Sequence, residues 1–261
     1  MSERLPTEKR GVVGWITFNN PERRNAMSLD MWEALPRALD EFEADDEVRV
    51  IALRGAGDRA FISGADISQF EKDRSSPEGV QRYEEMAEGA QQRLSRADKP
   101  TVAVIRGYCL GGGVNIALAC DLRLAADDAR FGIPAARMGI GYRASSTRNL
   151  VDVVGPAYAR EILITARQFS AAEALAMGLV QRVVPAAEID ARAEALLAEI
   201  GANAPLSMRT GKRIVRELLK PAAEFDAEAA RGWVRECFAS EDYREGRRAF
   251  MEKRKPAFKG K

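Results

Sequence analysis

The sequence predicts an α/β core followed by a helical C-terminal region. Strand-like and helix-like runs alternate through about residue 185, and after Ala187 the apolar spacing is helical alone. The length of 261 residues allows a well-buried core, as one large domain or as a main domain with a smaller one. We place the core at residues 1–195 and the helical region at 196–261.

The elements follow in order. "GVVGWITFN" (Gly11 to Asn19) is rich in β-branched and aromatic residues and reads as a strand. "NPERRNAMS" is a loop, with Ser28 as the N-cap of a helix to about Ala44. "VRVIALRG" (Val48 to Gly55) is a strong strand, and the glycine-punctuated "AGDRAFISGADIS" after it has no helical period. A polar helix spans roughly Pro77 to Ala97. "KPTVAVIRG" is a second strong strand, with Pro100 at its start, where a missing N–H does least harm. Gly111 to Gly113 open the next helix, and "DLRLAAD" and "ARFGIP" follow as a strand and a short extended piece. "AARMGIGYRASSTRNLVDVVG" carries a loop into a helix that Ser145 and Ser146 are placed to cap. "GPAYAREILITA" and "SAAEALAMG" read as helices, and "LVQRVV" (Leu179 to Val184) as the last strand. Beyond it, breaks fall near Pro205 and Pro221.

Composition excludes several function classes. Lys plus Arg (40) nearly cancel Asp plus Glu (39), so a net charge of +1 gives no pull toward nucleic acid or an anionic membrane. No apolar run reaches the ~18 residues of a membrane helix, and the first ten residues lack the apolar centre of a signal peptide. Cys109, Cys120 and Cys237 have no metal-site spacing and read as reduced core thiols of a cytoplasmic protein. The chain has no histidine. That removes Ser-His-Asp and Cys-His catalysis, histidine metal sites and histidine general bases. Proton transfer falls to a carboxylate, Tyr, Lys, Cys or water, and no metal is expected.

Glycine costs a helix roughly 0.5–1 kcal/mol against alanine, so three at a helix start ask for a reason. The first turn of a helix has amides without partners, and the helix dipole adds partial positive charge there. Without side chains, Gly111 to Gly113 open those amides to an anion, or to a carbonyl oxygen becoming one. Close packing of the helix start against a strand is the alternative. "FISGADI" (Phe61 to Ile67) is a second glycine turn after a strand, and two such turns on one sheet edge could offer two amides to one oxygen. Nucleotide motifs are absent: "TGKR" lacks the upstream glycine and the hydroxyl of a phosphate loop.

These stretches resemble the crotonase (enoyl-CoA hydratase/isomerase) superfamily over nearly the whole chain. "AFISGADI" is similar to its first oxyanion-loop motif, and "GYCLGGGVNIALACDLRLAADDARFGIP" to its second. "ITARQFSAAEALAMGLVQRVVP" and the ending "SEDYREGRRAFMEKRKPAF" resemble the segments that follow. The resemblance implies a spiral of ββα turns, with a helical C-terminal region that builds homotrimers or hexamers. It implies a coenzyme A thioester as substrate, with no other bound cofactor. The amides of Ala65 and Gly112 would hold the thioester oxygen as it becomes an enolate. Arg24, and backbone from Ala60 through Ser63, Gly64 and Asp66 to Ile67, would contact the CoA. Phe250 and Lys253 would reach it from the tail, from the same or a neighbouring subunit. Gly111, Pro134 and Ala135 would also contact the substrate.

The sequence also departs from that pattern. Aligned on the glycines, the two glutamates with which hydratases activate water fall at Asn115 and Ala135, and neither is acidic. Asparagine can orient a water but cannot take its proton. "MGIGYRASS" brings Tyr142 and Arg143 into the active-site loop. In the branch that decarboxylates methylmalonyl-CoA a tyrosine occupies this place, and the tails are similar. That branch carries a His where this chain has Ala65. Loss of CO2 makes the enolate without a base, and Tyr142 or water could protonate it. Arg143 could hold a substrate carboxylate. Decarboxylase-like chemistry is therefore the expectation. An enoyl-CoA hydratase or isomerase with an altered site, a thioester hydrolase and a non-catalytic acyl-CoA scaffold are the alternatives.

Overall fold

The computed structural model describes residues 2–66 and 76–261. Its strands form two sheets. A six-stranded sheet has the order β1-β2-β3-β5-β7-β10: β1 (Thr7–Arg10), β2 (Val13–Phe18), β3 (Val50–Gly55), β5 (Thr101–Ile105), β7 (Leu122–Ala126) and β10 (Arg182–Val184). All its pairings are parallel except β1 with β2. A four-stranded sheet orders β4 (Ala60–Ile62), β6 (Tyr108–Leu110), β8 (Arg130–Gly132) and β9 (Phe169–Ser170), with β4, β6 and β8 parallel. The chain alternates between the sheets, β3 to β4, β5 to β6, β7 to β8. This is the expected spiral, in which each turn adds one strand to either sheet.

Helices close each turn and cover the faces: α1 (Leu29–Ala44), α2 (Pro77–Ser95), α3 (Gly112–Ala119), α4 (Ala144–Thr165) and α5 (Ala171–Ala176). The C-terminal part adds α6 (Ile189–Gly201), α7 (Pro205–Leu218), α8 (Ala227–Ala239) and α9 (Glu241–Met251). β3 is apolar without alternation because both its faces are covered. Ile51 and Leu53 join the core under α1 and α3, and Val50 and Ala52 pack with Ile189, Leu196 and Ile200 of α6. Residue 195 lies within α6, which packs on this sheet.

β4 and β6 escape the sequence reading. Each has three residues, too few for a period to show, and the turn before β6 is set by sterics. Gly107 has φ +54, and a β-carbon there would lie 2.1 Å from the Arg59 carbonyl oxygen. The two helices read around Gly155 are both present, run together as α4 across a break at that glycine, whose φ 73 and ψ 167 are not helical, with Pro156 opening the second. Ser28 stands at the N-cap of α1 as read, though its hydroxyl donates to Asp30.

Polar clips attach the C-terminal helices. Asp121 accepts from the Thr101 amide at 2.7 Å and pairs with Lys212 of α7 at 2.6 Å. Arg49 donates to the carbonyls of Gly201 and Phe258. The three cysteines are free, and burial pushes the Cys120 thiol up to about 12. No helix among the described residues is long and apolar enough to cross a membrane. No group of three potential ligands that could hold a metal ion occurs among them.

Candidate active site

The two glycine turns meet because β4 and β6 are adjacent parallel strands, so their C-terminal ends lie side by side. A β-carbon on Gly111 would stand 3.8 Å from the Gly64 Cα, and one on Gly64 would stand 3.7 Å from the Leu110 oxygen. On the first turn, Met27 donates to the Gly64 oxygen at 2.8 Å and accepts from the Asp66 amide at 3.0 Å. Successive amides of an extended chain face opposite ways, so the Ala65 N–H between them faces away from Met27. On the second turn, Gly112 is the first residue of α3, where an amide has no partner within the helix.

The three glycines divide the labour. Gly111 has φ 52 and ψ −114, a conformation open to glycine. Gly113 meets the packing demand, since a β-carbon there would strike the Ile62 oxygen at 2.3 Å. Gly112 has room, with Trp32 at 3.8 Å as the nearest neighbour of a β-carbon there. The packing reading of the glycine run is met at Gly113.

Ala65, Ala135 and Tyr142 are all half-buried against the same core cluster. Pro134 and Ala135 begin a short 3-10 turn over Pro134–Met138 that leads to Tyr142. The Tyr142 hydroxyl donates to the Asn115 side-chain oxygen at 2.6 Å and lies 3.5 Å from the Gly111 carbonyl oxygen. Burial pushes the phenol up, against the bond to Asn115, so Tyr142 is protonated at neutral pH. Asn115 is 4% exposed, and its nitrogen donates to Ser146 at 3.2 Å. Ser146 in turn reaches Gln91 of α2 at 3.4 Å.

Arg143 is paired with Glu84: its Nε lies 3.0 Å from Glu84 Oε2, and it donates to the Glu84 carbonyl at 2.8 Å. Ser146 does not cap α4, whose N-cap is Arg143; its hydroxyl is buried in the chain just described. Glu84, Gln91 and Ser146 are the residues the sequence reading missed as neighbours of Tyr142. They come from helices whose mutual placement no local pattern encodes.

Arg24 is exposed beside the first turn, with φ 51; its carbonyl accepts from Ser63, and its guanidinium lies 5.0 Å from the Tyr108 ring centre. Ala60 and Asp66 are buried, and Asp66 carries further polar contacts. Ile67 lies outside the described residues. Phe250 and Lys253 are exposed at the end of α9, where Phe250 neighbours α7 and α8 rather than the glycine turns.

Residues 8–261 match the family model described as enoyl-CoA hydratase/isomerase. The chain belongs to the enoyl-CoA hydratase/isomerase family. A short-chain-enoyl-CoA hydratase of Clostridium acetobutylicum is 35% identical over 95% of this chain and 94% of its own length. A crotonyl-CoA hydratase of Syntrophomonas wolfei is 31% identical over 98% of both chains. A crystal structure of an enoyl-CoA hydratase/carnithine racemase from Magnetospirillum magneticum superposes with a TM-score of 0.96 at 35% identity, covering 100% of this chain and 97% of that one. The family's expected architecture is thus present, and these relatives bear the names of hydratases and a racemase rather than of a decarboxylase. As a family member, the protein is an enzyme of acyl-CoA thioesters.

Proposed function

We propose that this enzyme forms a thioester enolate between the amides of Ala65 and Gly112 and protonates it from Tyr142. The observation that supports this most is the side-by-side placing of the two glycine turns with the Tyr142–Asn115 pair beside them. Two preorganised donors aimed at the oxygen supply roughly 3–4 kcal/mol each in the transition state. Arg24 and the Ala60–Asp66 segment would hold the CoA, as would Phe250 and Lys253 from a neighbouring subunit.

Decarboxylation suits this set of residues. The bond to the carboxylate breaks, its electron pair enters the enolate, CO2 leaves, and the carbon takes the Tyr142 proton, which water replaces. No base is needed, which matches asparagine and alanine at positions 115 and 135. Arg143 is engaged by Glu84. A leaving carboxylate therefore gains no ion pair there that would stabilise the ground state and slow its loss. Water addition is the second reading, favoured by the names of the relatives. In it, Asn115 and Tyr142 would orient the water.

A panel of CoA thioesters followed by mass spectrometry separates the readings. Loss of 44 mass units from a malonyl-type thioester supports the first, and gain of 18 on crotonyl-CoA the second. Release of free CoA indicates a hydrolase, and binding without turnover a scaffold. Trimers or hexamers are proposed from the apolar side chains the C-terminal helices expose, such as Leu218 at 64%, Phe238 at 61% and Phe250 at 82%. Light scattering that returns a monomer would refute them.

A further inference from the structure

The chain Tyr142–Asn115–Ser146–Gln91 ends on a buried polar atom with nothing to bond. Among the described residues, Gln91 Nε2 has no hydrogen-bond partner. Gln91 is 5% exposed, Asn115 4% and Ser146 1%, so water does not bathe these groups. A half-turn of Gln91 leaves its oxygen unpartnered in place of its nitrogen, and an orphaned buried N–H is rarer than an under-satisfied carbonyl oxygen.

Every link in this chain can run in either direction. A carboxamide exchanges oxygen and nitrogen by a half-turn with no change of shape, and a hydroxyl both donates and accepts. In one direction Tyr142 donates to Asn115 Oδ1, Asn115 Nδ2 donates to Ser146, and Ser146 donates to Gln91 Oε1, which strands Gln91 Nε2. In the other, Gln91 Nε2 donates to Ser146, Ser146 donates to Asn115 Oδ1, and Asn115 Nδ2 donates to Tyr142. The stranded nitrogen is then bonded. The Tyr142 proton no longer points at Asn115. It turns to the Gly111 side, where the carbonyl oxygen of that residue lies 3.5 Å away, just before the Gly112 amide.

We propose that Gln91 and Ser146 are positioning residues that hold the chain in this second direction and so present the Tyr142 proton to the acyl group. Gln91 acts through its one hydrogen-bond donor, at three links' remove from the phenol. The assignment rests on the enolate-protonating role proposed for Tyr142, and it adds which residues make the tyrosine a donor toward substrate.

The test is Gln91→Glu, assayed at a pH where the carboxyl is ionised; it then keeps the shape but accepts only, and so locks the chain with Tyr142 donating to Asn115. Gln91→Met, which can do neither, is the control. The protein is labelled with tyrosine carrying carbon-13 at Cζ, and Tyr142→Phe identifies the resonance. In Gln91→Glu that resonance moves downfield, as for a phenol that becomes a donor, and kcat falls at least about tenfold with KM held within about twofold. Gln91→Met, which imposes neither direction, loses less than Gln91→Glu. An unmoved resonance, or equal losses in the two variants, overturns the proposal. If Gln91→Glu does not fold, Ser146→Ala cuts the same chain, and an unmoved resonance there overturns it equally. The resonance needs no turnover. A shifted signal in a protein inert on every thioester would leave the chain standing and sink the function, and an unmoved signal in an active enzyme would do the opposite.

Discussion

A β-carbon on Gly113 would lie 2.3 Å from the carbonyl oxygen of Ile62, closer than any real contact of that kind. This approach seats the start of α3 against the end of β4. It brings Gly112 level with the turn that carries Ala65. Gly113→Ala must therefore push the helix off the strand. A loss of about 1–3 kcal/mol is expected, read as a lower urea midpoint. Gly112→Ala should stay within about 0.5 kcal/mol of the native protein. Equal stability of Gly113→Ala and the native protein would mean that the helix start is not held by this contact.

Gly112→Pro isolates the amide. Proline is well tolerated at the first position of a helix, where the N–H is unpaired within the helix. The variant should fold and lose roughly a hundred- to a thousandfold in kcat, the weight of one oxyanion donor. Circular dichroism establishes the fold and the thioester assay the loss. Full activity in a folded Gly112→Pro would remove this amide from the mechanism.

Tyr142→Phe keeps the ring and deletes the proton. If Tyr142 is the acid, kcat should drop by about a hundredfold or more while KM changes little. Burial raises the phenol above its ordinary range. The native enzyme should therefore show no loss of rate from ionisation of this group between pH 6 and about 9. Unaltered turnover in Tyr142→Phe would make the residue a packing group only.

Asp98 ties the core to α7 through Arg213, whose Nε donates to it at 3.0 Å. Burial alone would raise the Asp98 carboxyl, but the bonds and charge of Arg213 outweigh it and hold it below the usual range. A carboxyl depressed on folding adds stability above its unfolded pKa of about 3.9 and loses it as pH falls through the lower folded value. Asp98→Asn should cost about 1 kcal/mol or less at pH 7, since the pair is partly exposed. The gap between variant and native protein should close below about pH 4. A gap in urea midpoints that is the same at pH 7 and pH 3 would show that the pair is not its source.

The glycine turns and the alternation of strands and helices were legible in the residues themselves, and the spiral was implied by the resemblance their motifs carry. Positive φ and close backbone approach leave glycine few substitutes, and Gly107, Gly111 and Gly113 carry those demands openly. The absence of histidine was legible too, because chemistry that a side chain lacks needs no coordinates to recognise. What the sequence could not hold was partnership. Gln91, Asn115 and Ser146 lie on three helices, and Arg143 finds Glu84 across 59 positions. A three-residue strand such as β4 or β6 is too short to mark its own period, yet the pairing of those two strands sets the glycine turns side by side. Local preference acts within a few residues along the chain. The neighbours of a buried polar group are fixed only when distant helices and strands pack, and the direction of its hydrogen bonds follows from that packing.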